Sequence, residues 1–522
     1  MTSRGSRFSD ADREDLAARG IPPHEADRQL ELLARPRGYS DLVRPCTPGD
    51  GLVRLDEARL AAAIHGHESA AGRGAVSTFV PASGAATRMF HELLAALSSG
   101  GPLAPGATQA AASAGDAPSR AVVAFVEGLP RFAFHDSLAS ALAAGGASLD
   151  RLREAGPWRP LLEALLEPRG LDYARLPKGL LEFHRDPEPP HGARTAFAEH
   201  LEEALLLTRD HSGRCRAHFT VSPEHRGRFV ELLASLAPGL ERASGARLDV
   251  TFSQQQPATD TLAGDPGGGP FRDGSGRLVL RPAGHGALLP NLEATGGDIV
   301  FVKNVDNVAT GRRRAESLRW ARALCGVAAE LRSRSEVLRA RLADGPDADA
   351  EADALAFVRE GLGEPEPPAG RSALAAWLDR PLRVCGMVRN TGEPGGGPYW
   401  VRDAGGRISR QIVESVQVDP GSPAQQAIVA RATHFNPVFF ACSLRRADGG
   451  AFRLADYVDP STAMVARKSA GGRELLALER PGLWNGAMAD WITVFVEVPL
   501  EVFSPVKTVF DLLRPEHQDE RG

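Results

Sequence analysis

The stretch Phe79-Val80-Pro81-Ala82-Ser83-Gly84-Ala85-Ala86-Thr87-Arg88-Met89-Phe90 decides how the chain is read. Just upstream, Val76-Ser77-Thr78-Phe79-Val80 is a short β-favouring run. Downstream, apolar residues between Thr87 and Leu97 recur at helical spacing. The residues between are Pro, Ala, Ser and Gly only, so the order is strand, tight loop, helix. A helix start offers unpaired N–H groups and a positive dipole end to an anion. Arg88 adds a guanidinium suited to phosphate. A close-packed turn carrying a surface arginine gives the same pattern. No Gly-Lys-Ser/Thr follows, so this is not a Walker loop.

Working outward, further strand candidates lie at 217–221, 248–252 and 298–304, with helical segments separating the first two, as expected for a largely parallel α/β sheet. Strand-like runs recur at 384–388, 412–418, 438–444 and 493–498. Residues 312–342 read as one charged helix. Two helices are expected within 9–35, and the small-residue stretch 66–74 reads as a linker. The Ala/Gly/Ser/Pro-rich stretch 98–119 reads as a mobile surface insertion, and the acidic, proline-rich 344–370 as a linker or insertion. The expected division is an N-terminal helical extension (1–74), a nucleotide-binding half of an α/β domain (75–310), a helical insertion (311–380) and a sugar-binding half (381–522).

With 522 residues the chain can bury a large core without staples. A net charge of −5 argues against a general nucleic-acid binder, which needs a basic footprint. The five cysteines form no C-x-x-C pair, so buried reduced thiols are expected rather than a zinc knuckle or disulfide framework. The N-terminus lacks the apolar core of a signal peptide, and no apolar run reaches about 18 residues. A cytoplasmic enzyme is the expectation.

Four more constellations carry chemistry. Pro177 and Gly179 fix the chain around Lys178, which can aim an ammonium at phosphate or simply lie in solvent. Phe252-Ser253-Gln254-Gln255-Gln256-Pro257 and Arg281-Pro282-Ala283-Gly284-His285-Gly286 combine amides for a base edge with glycines that admit a ring. The apolar run 299–302 leads to Lys303-Asn304-Val305-Asp306-Asn307, placing a carboxylate where α/β sheets hold ligands. Asp306 is the best metal candidate, since Mg²⁺ takes one or two carboxylates plus phosphate oxygens and water. A cap for the next helix is the alternative reading. In the last third, the loop from Asn390 through Glu393 to Pro398, Glu414 within a strand-like run, and Thr433-His434-Phe435-Asn436-Pro437 suit sugar hydroxyls, although Glu414 also fits a structural ion pair. Phe503-Ser504-Pro505-Val506-Lys507-Thr508 sets a lysine in a rigid turn.

In this order the motifs resemble the UDP-sugar pyrophosphorylase family. That family has a Gly-rich loop ending in Thr-Arg, then Pro-Lys, Phe-x-Gln…Pro, Gly-His-Gly or Gly-Asn-Gly, Asp-Asn, and Phe-x-Pro-Val-Lys. Here these are Ser83 to Arg88, Pro177-Lys178, Phe252 to Pro257, Gly284-His285-Gly286, Asp306-Asn307 and Phe503 onward. The runs FVPASGAATRMF, RPAGHGALLPNL, NTGEPGGGPYW and PGLWNGAM resemble, more closely still, a bacterial family known only as a domain of unknown function.

The resemblance implies a nucleotide-diphospho-sugar transferase-like α/β fold (GT-A, Rossmann-like), with a mixed sheet flanked by helices. It implies a Mg-dependent nucleotidyltransferase that joins a nucleoside triphosphate, UTP in the first instance, to a sugar 1-phosphate and releases pyrophosphate. Arg88, Lys178 and Lys507 would act on phosphates. Ser83, Gly84, Ala85, Ala86, Thr87, Gln254, Gly284 and His285 would bind the nucleotide. Glu393, Glu414, His434 and Asn436 would bind the sugar, and Asp306 the magnesium. Ser83 and Ala86 depart from the family's glycines, which leaves a non-catalytic nucleotide binder open. The runs Glu393–Gly397 and Pro481–Met488 are not typical of the family, which leaves room for a different acceptor and a glycosyltransferase on the same fold.

Overall fold

The computed structural model describes residues 7–35, 38–185, 192–344, 348–392, 395–446 and 448–518. The chain is mixed α/β and forms two compact units, each assembled from separated stretches. One comprises the described residues of 1–77, 253–302 and 321–500; the other those of 78–252, 303–320 and 501–522.

The first unit holds a mixed sheet, ordered Thr47–Pro48, Gly51–Val53, Ile492–Glu497, Leu382–Arg389, Phe439–Ser443, Ile299–Lys303, the last residue beginning the other unit. Leu382–Arg389 runs parallel to Ile492–Glu497 and antiparallel to Phe439–Ser443. Leu382–Arg389 is buried along all but its final residue, so both faces of the strand are covered, and Arg383 is the one charged side chain among its buried residues. Two smaller sheets join Asp41–Pro45, Gly397–Arg402 and Ile408–Val413, and Leu280–Arg281, Thr261–Gly264, Arg473–Glu479 and Met464–Ala470.

In the second unit Val76–Pro81, which begins two residues upstream, runs parallel to Arg214–Thr220, with Arg247–Ser253 beyond it. Helices Ala117–Gly128, His135–Ala144, Arg159–Leu166 and Ala196–Leu207 pack around an aromatic core. Phe132 and Phe134 stack at 4.8 Å, and Tyr173 meets Phe134 edge-on at 5.5 Å. Such pairs contribute about 0.5–1.5 kcal/mol beyond burial.

Several expectations are corrected here. The stretch 66–74 is not a linker: Glu57–Gly72 is one helix, capped by the Asp56 carboxylate on the Arg59 N–H. Its glycine serves packing. A Cβ on Gly66 would lie 3.7 Å from the Gly326 carbonyl oxygen, and one on Gly326 only 1.7 Å from that of Ala63. Two helix backbones therefore touch, which any side chain prevents. Gly326→Ala should destabilise the protein by about 1–3 kcal/mol through overpacking, measured by urea unfolding; an unchanged midpoint would contradict the contact.

The stretch 98–119 is also ordered. It carries helix Pro105–Ser113 and the start of Ala117–Gly128, the latter capped by Asp116. Alanine, the best helix former, outweighs the glycines there. Within 344–370, helix Ala348–Ala356 runs into a π-turn whose Phe357 and Val358 are buried. The N-terminal segment supplies strands as well as helices. The strand read at 412–418 ends at Val413, and Glu414 instead caps a short 3₁₀ turn with Gln417. No described helix is long and apolar enough to cross a membrane.

Candidate functional site

The site in the second unit starts from the small-residue loop. Strand Val76–Pro81 hands over through Ala82, whose N–H donates to the Thr220 carbonyl at 2.8 Å. Ala86 opens a 3₁₀ turn (Ala86–Phe90) that leads into helix His91–Ser98. Its N–H donates to Leu176 O at 3.0 Å, while Lys178 N–H donates to Gly84 O at 3.3 Å. The hydroxyl of Thr87 donates to Ala174 O. Loop and Pro-Lys segment are thus tied into one framework.

Among the described residues, the N–H groups of Ser83, Gly84 and Ala85 have no protein acceptor, and all three residues are exposed. A Cβ on Gly84 would meet nothing within 4 Å, so the space above the loop is open. Consecutive free amides of this kind suit an anion.

Lys178 follows Pro177, and Gly179 after it packs so closely that a Cβ would lie 3.0 Å from the Phe229 ring. The Lys178 ammonium donates to Asp306 Oδ2 at 2.8 Å and to Val506 O at 2.6 Å. Lys507 Nζ donates to the same Oδ2 at 3.0 Å. Burial pushes the Lys178 pKa down; Asp306 opposes this, while Lys507 and Arg88 push it lower. For Asp306, burial alone would raise the pKa, yet Lys507 and Lys178 together hold it below the usual carboxylate value. Arg88 is exposed and, among the described residues, makes no hydrogen bond or ion pair. Two ammonium groups therefore share a single carboxylate oxygen, and Arg88 adds positive charge felt by Lys178.

The neighbour of Asp306 does quieter work. Asn307 donates through Nδ2 to Val502 O at 3.2 Å and accepts at Oδ1 from Ser504 N–H at 2.9 Å. Asp306 O accepts from Val506 N–H at 3.0 Å. From the other side, Asp511 Oδ2 accepts from the N–H groups of Lys507 (2.8 Å) and Thr508 (2.7 Å). The lysine turn is thus clamped at both ends. Asn307 was read only as half of an Asp-Asn pair; its signal is that a buried amide must satisfy itself on nearby backbone. Asn307→Ala should cost about 1–3 kcal/mol by leaving buried partners unpaired. It should also speed hydrogen exchange at the Ser504 amide; wild-type exchange there would contradict the clamp.

The remaining predicted residues belong to the first unit. His285 stacks on Trp484 at 3.9 Å, and its Nδ1 accepts from Leu483 N–H at 2.9 Å. Its Nε2 lies 3.8 Å from Glu414 Oε1, which accepts from Asn485 Nδ2 at 2.9 Å. Burial pushes the His285 pKa down, against the pull of Glu414. Gly284 (φ +73°) precedes it. Trp484 and Asn485 were not anticipated as partners; the signal was two glycines, Gly482 and Gly486, flanking them. A Cβ on Gly482 would lie 2.6 Å from His285 Cε1.

Gln254 is half-buried and offers its carbonyl to Asn291 Nδ2 at 2.8 Å. His434 and Asn436 are engaged elsewhere. His434 Nε2 lies 3.3 Å from Glu497 Oε1, and burial lowers its pKa. The Asn436 side chain bonds Gly386 O and Val438 N–H, both at 3.0 Å. Glu393 lies outside the described residues. No group of three His, Cys, Asp or Glu side chains able to hold a metal occurs among the described residues.

The chain is similar to solved structures of two enzymes. One is a uridine diphosphate N-acetylglucosamine pyrophosphorylase from Trypanosoma brucei, with 14% identity and TM-score 0.49, covering 97% of this chain and 79% of that one. The other is a mutant UDP-glucose pyrophosphorylase from Leishmania major, with 13% identity and TM-score 0.46, covering 100% and 80%. No curated protein matches. A family model matches residues 9–518, and the chain belongs to that family, described as a domain of unknown function (DUF4301).

Proposed function

We propose that this chain is a nucleotidyltransferase on a nucleotide-diphospho-sugar transferase-like (GT-A) framework, joining a nucleoside triphosphate, UTP in the first instance, to a sugar 1-phosphate with release of pyrophosphate. The observation that carries this reading is the pair of ammonium groups, Lys178 and Lys507, on one oxygen of Asp306, tied to a loop with three exposed, unpaired amides.

The chemistry needs no covalent nucleophile. A sugar 1-phosphate oxygen forms a new bond to the α-phosphorus, and the bond to pyrophosphate breaks, its electron pair leaving with pyrophosphate. Catalysis then consists of positioning and charge neutralisation. The amides of Ser83, Gly84 and Ala85 receive phosphate oxygens, and Arg88 supports the departing diphosphate. Lys178 and Lys507 exchange the Asp306 oxygen for phosphate oxygens as the ligand enters.

A single carboxylate, with no further ligand cluster among the described residues, fits an ion held mainly by substrate and water. Asp306 would hold a magnesium ion of that kind, which supplies further positive charge to the phosphates when bound. In this reading Ala86 and Thr87 complete the phosphate loop. Gln254, Gly284 and His285 take the base, and Glu393, Glu414, His434 and Asn436 the sugar.

Incubation with a panel of nucleotide-sugars, pyrophosphate and Mg²⁺ tests this directly. Pyrophosphate-dependent release of a nucleoside triphosphate is expected. Transfer of the sugar to an acceptor without pyrophosphate would select a glycosyltransferase instead, and binding without turnover a non-catalytic nucleotide binder.

A further inference from the structure

A cavity of about 540 Å³ in the first unit has an unusual charge pattern. Arg54, Arg59 and Arg410 line it alongside glycines and apolar residues, and no carboxylate does. Its volume falls within the roughly 300–1,000 Å³ of small-molecule sites.

Arg410, on strand Ile408–Val413, decides the reading because it is only 7% exposed. A guanidinium carries five N–H donors. Among the described residues, that of Arg410 makes one hydrogen bond, to Leu362 O, and lies 5.6 Å over the Trp400 ring. It has no ion pair. Glu364 attracts it from a distance, yet Glu364 Oε1 is itself buried without a hydrogen-bond partner, so the two do not close on each other. A buried charge left without a partner is costly, and an anion in the cavity would relieve it.

The surroundings preserve access to this group. Trp400 is fixed by Asp50, which accepts from its Nε1 at 3.0 Å and also binds Arg44 through two bonds of 2.7 and 3.0 Å. Gly51 (φ +88°) leaves no room for a Cβ, which would lie 2.9 Å from Cys46 Sγ and Trp400 Nε1. One on Gly363 (φ +64°) would stand 3.1 Å from Arg410 Nη1. At the exposed side, Arg54 is paired with Glu497. Arg59, in the first turn of helix Glu57–Gly72, has no side-chain partner among the described residues. Planar guanidinium forks match phosphate oxygens in pairs.

We propose that this cavity binds a phosphate-bearing small molecule, held by Arg410 from within and by Arg59 and Arg54 at the opening. The site uses none of the residues assigned to nucleotidyl transfer, and it stands whether or not that assignment does.

Isothermal titration of the full chain tests it, with inorganic phosphate, pyrophosphate and glucose 1-phosphate as separate probes. The background is an Arg88→Ala/Lys507→Ala variant, which weakens the other phosphate site at two exposed positions. At least one probe should bind with one equivalent, and Arg59→Ala should weaken that binding tenfold or more. Strongest binding of pyrophosphate would assign a diphosphate, and of glucose 1-phosphate a monoester. Arg410→Gln should abolish binding; should that variant not fold, the exposed Arg59→Ala decides alone. Absence of binding by all three probes overturns the proposal, as does an affinity indifferent to Arg59→Ala.

Discussion

Lys507→Ala should lower turnover by about 10²–10³ while leaving the protein folded. Removing one preorganised group that meets developing charge costs roughly that factor. The side chain is half-exposed, and its backbone is held independently by Asp511, so little stability rides on the ammonium. Asp306 keeps Lys178 as a partner in the variant. The measurement is pyrophosphate release with saturating triphosphate and sugar phosphate, alongside a thermal melt. Near-wild-type release from a folded variant would remove Lys507 from the mechanism.

Asp306→Asn should instead unfold easily. The carboxylate is 7% exposed, and its loss leaves two ammonium groups facing each other, one of them buried. Breaking a buried pair costs about 3–5 kcal/mol; with Lys507 half in solvent, about 3 kcal/mol is expected. The effect carries a pH signature. Asp306 titrates below its ordinary value of 3.8 in the folded chain. Its contribution is therefore full above that value and disappears as pH falls through the lower, folded value. Urea unfolding should separate variant from wild type at pH 7 and bring them together in strong acid. A loss under 1 kcal/mol at pH 7 would show the pair to be incidental.

What could be read in advance followed local chemistry. Ile299–Lys303 is an apolar run and Val76–Pro81 a β-favouring one, each bounded by turn residues, and 217–221 marks the C-terminal part of Arg214–Thr220. Asp306, Lys178 and Lys507 were legible because each sits in a distinctive short context. Long-range packing hid the rest. Gly66 looked like punctuation until the backbone of Ala63 was seen against Gly326, far away in sequence. Alanine-rich 105–113 reads as filler when composition is weighed above helix propensity. Glu414 follows an apolar pair and so passes for a strand residue, whereas its carboxylate caps the next turn. Trp484 against His285 lay beyond sequence reasoning, because nothing local couples two residues about 200 positions apart.

The five cysteines turn the molecule into its own unfolding clock. All are buried and free, and burial raises every thiol pKa, to about 12 for Cys46 and about 11 for Cys215 and Cys385. Since only the thiolate reacts, alkylation of the native state is suppressed both by access and by ionisation. Cys215 belongs to the unit that carries Lys178, Asp306 and Lys507, and the other four to its companion. Peptide-resolved alkylation over time should therefore report the opening of each unit separately, without any introduced label.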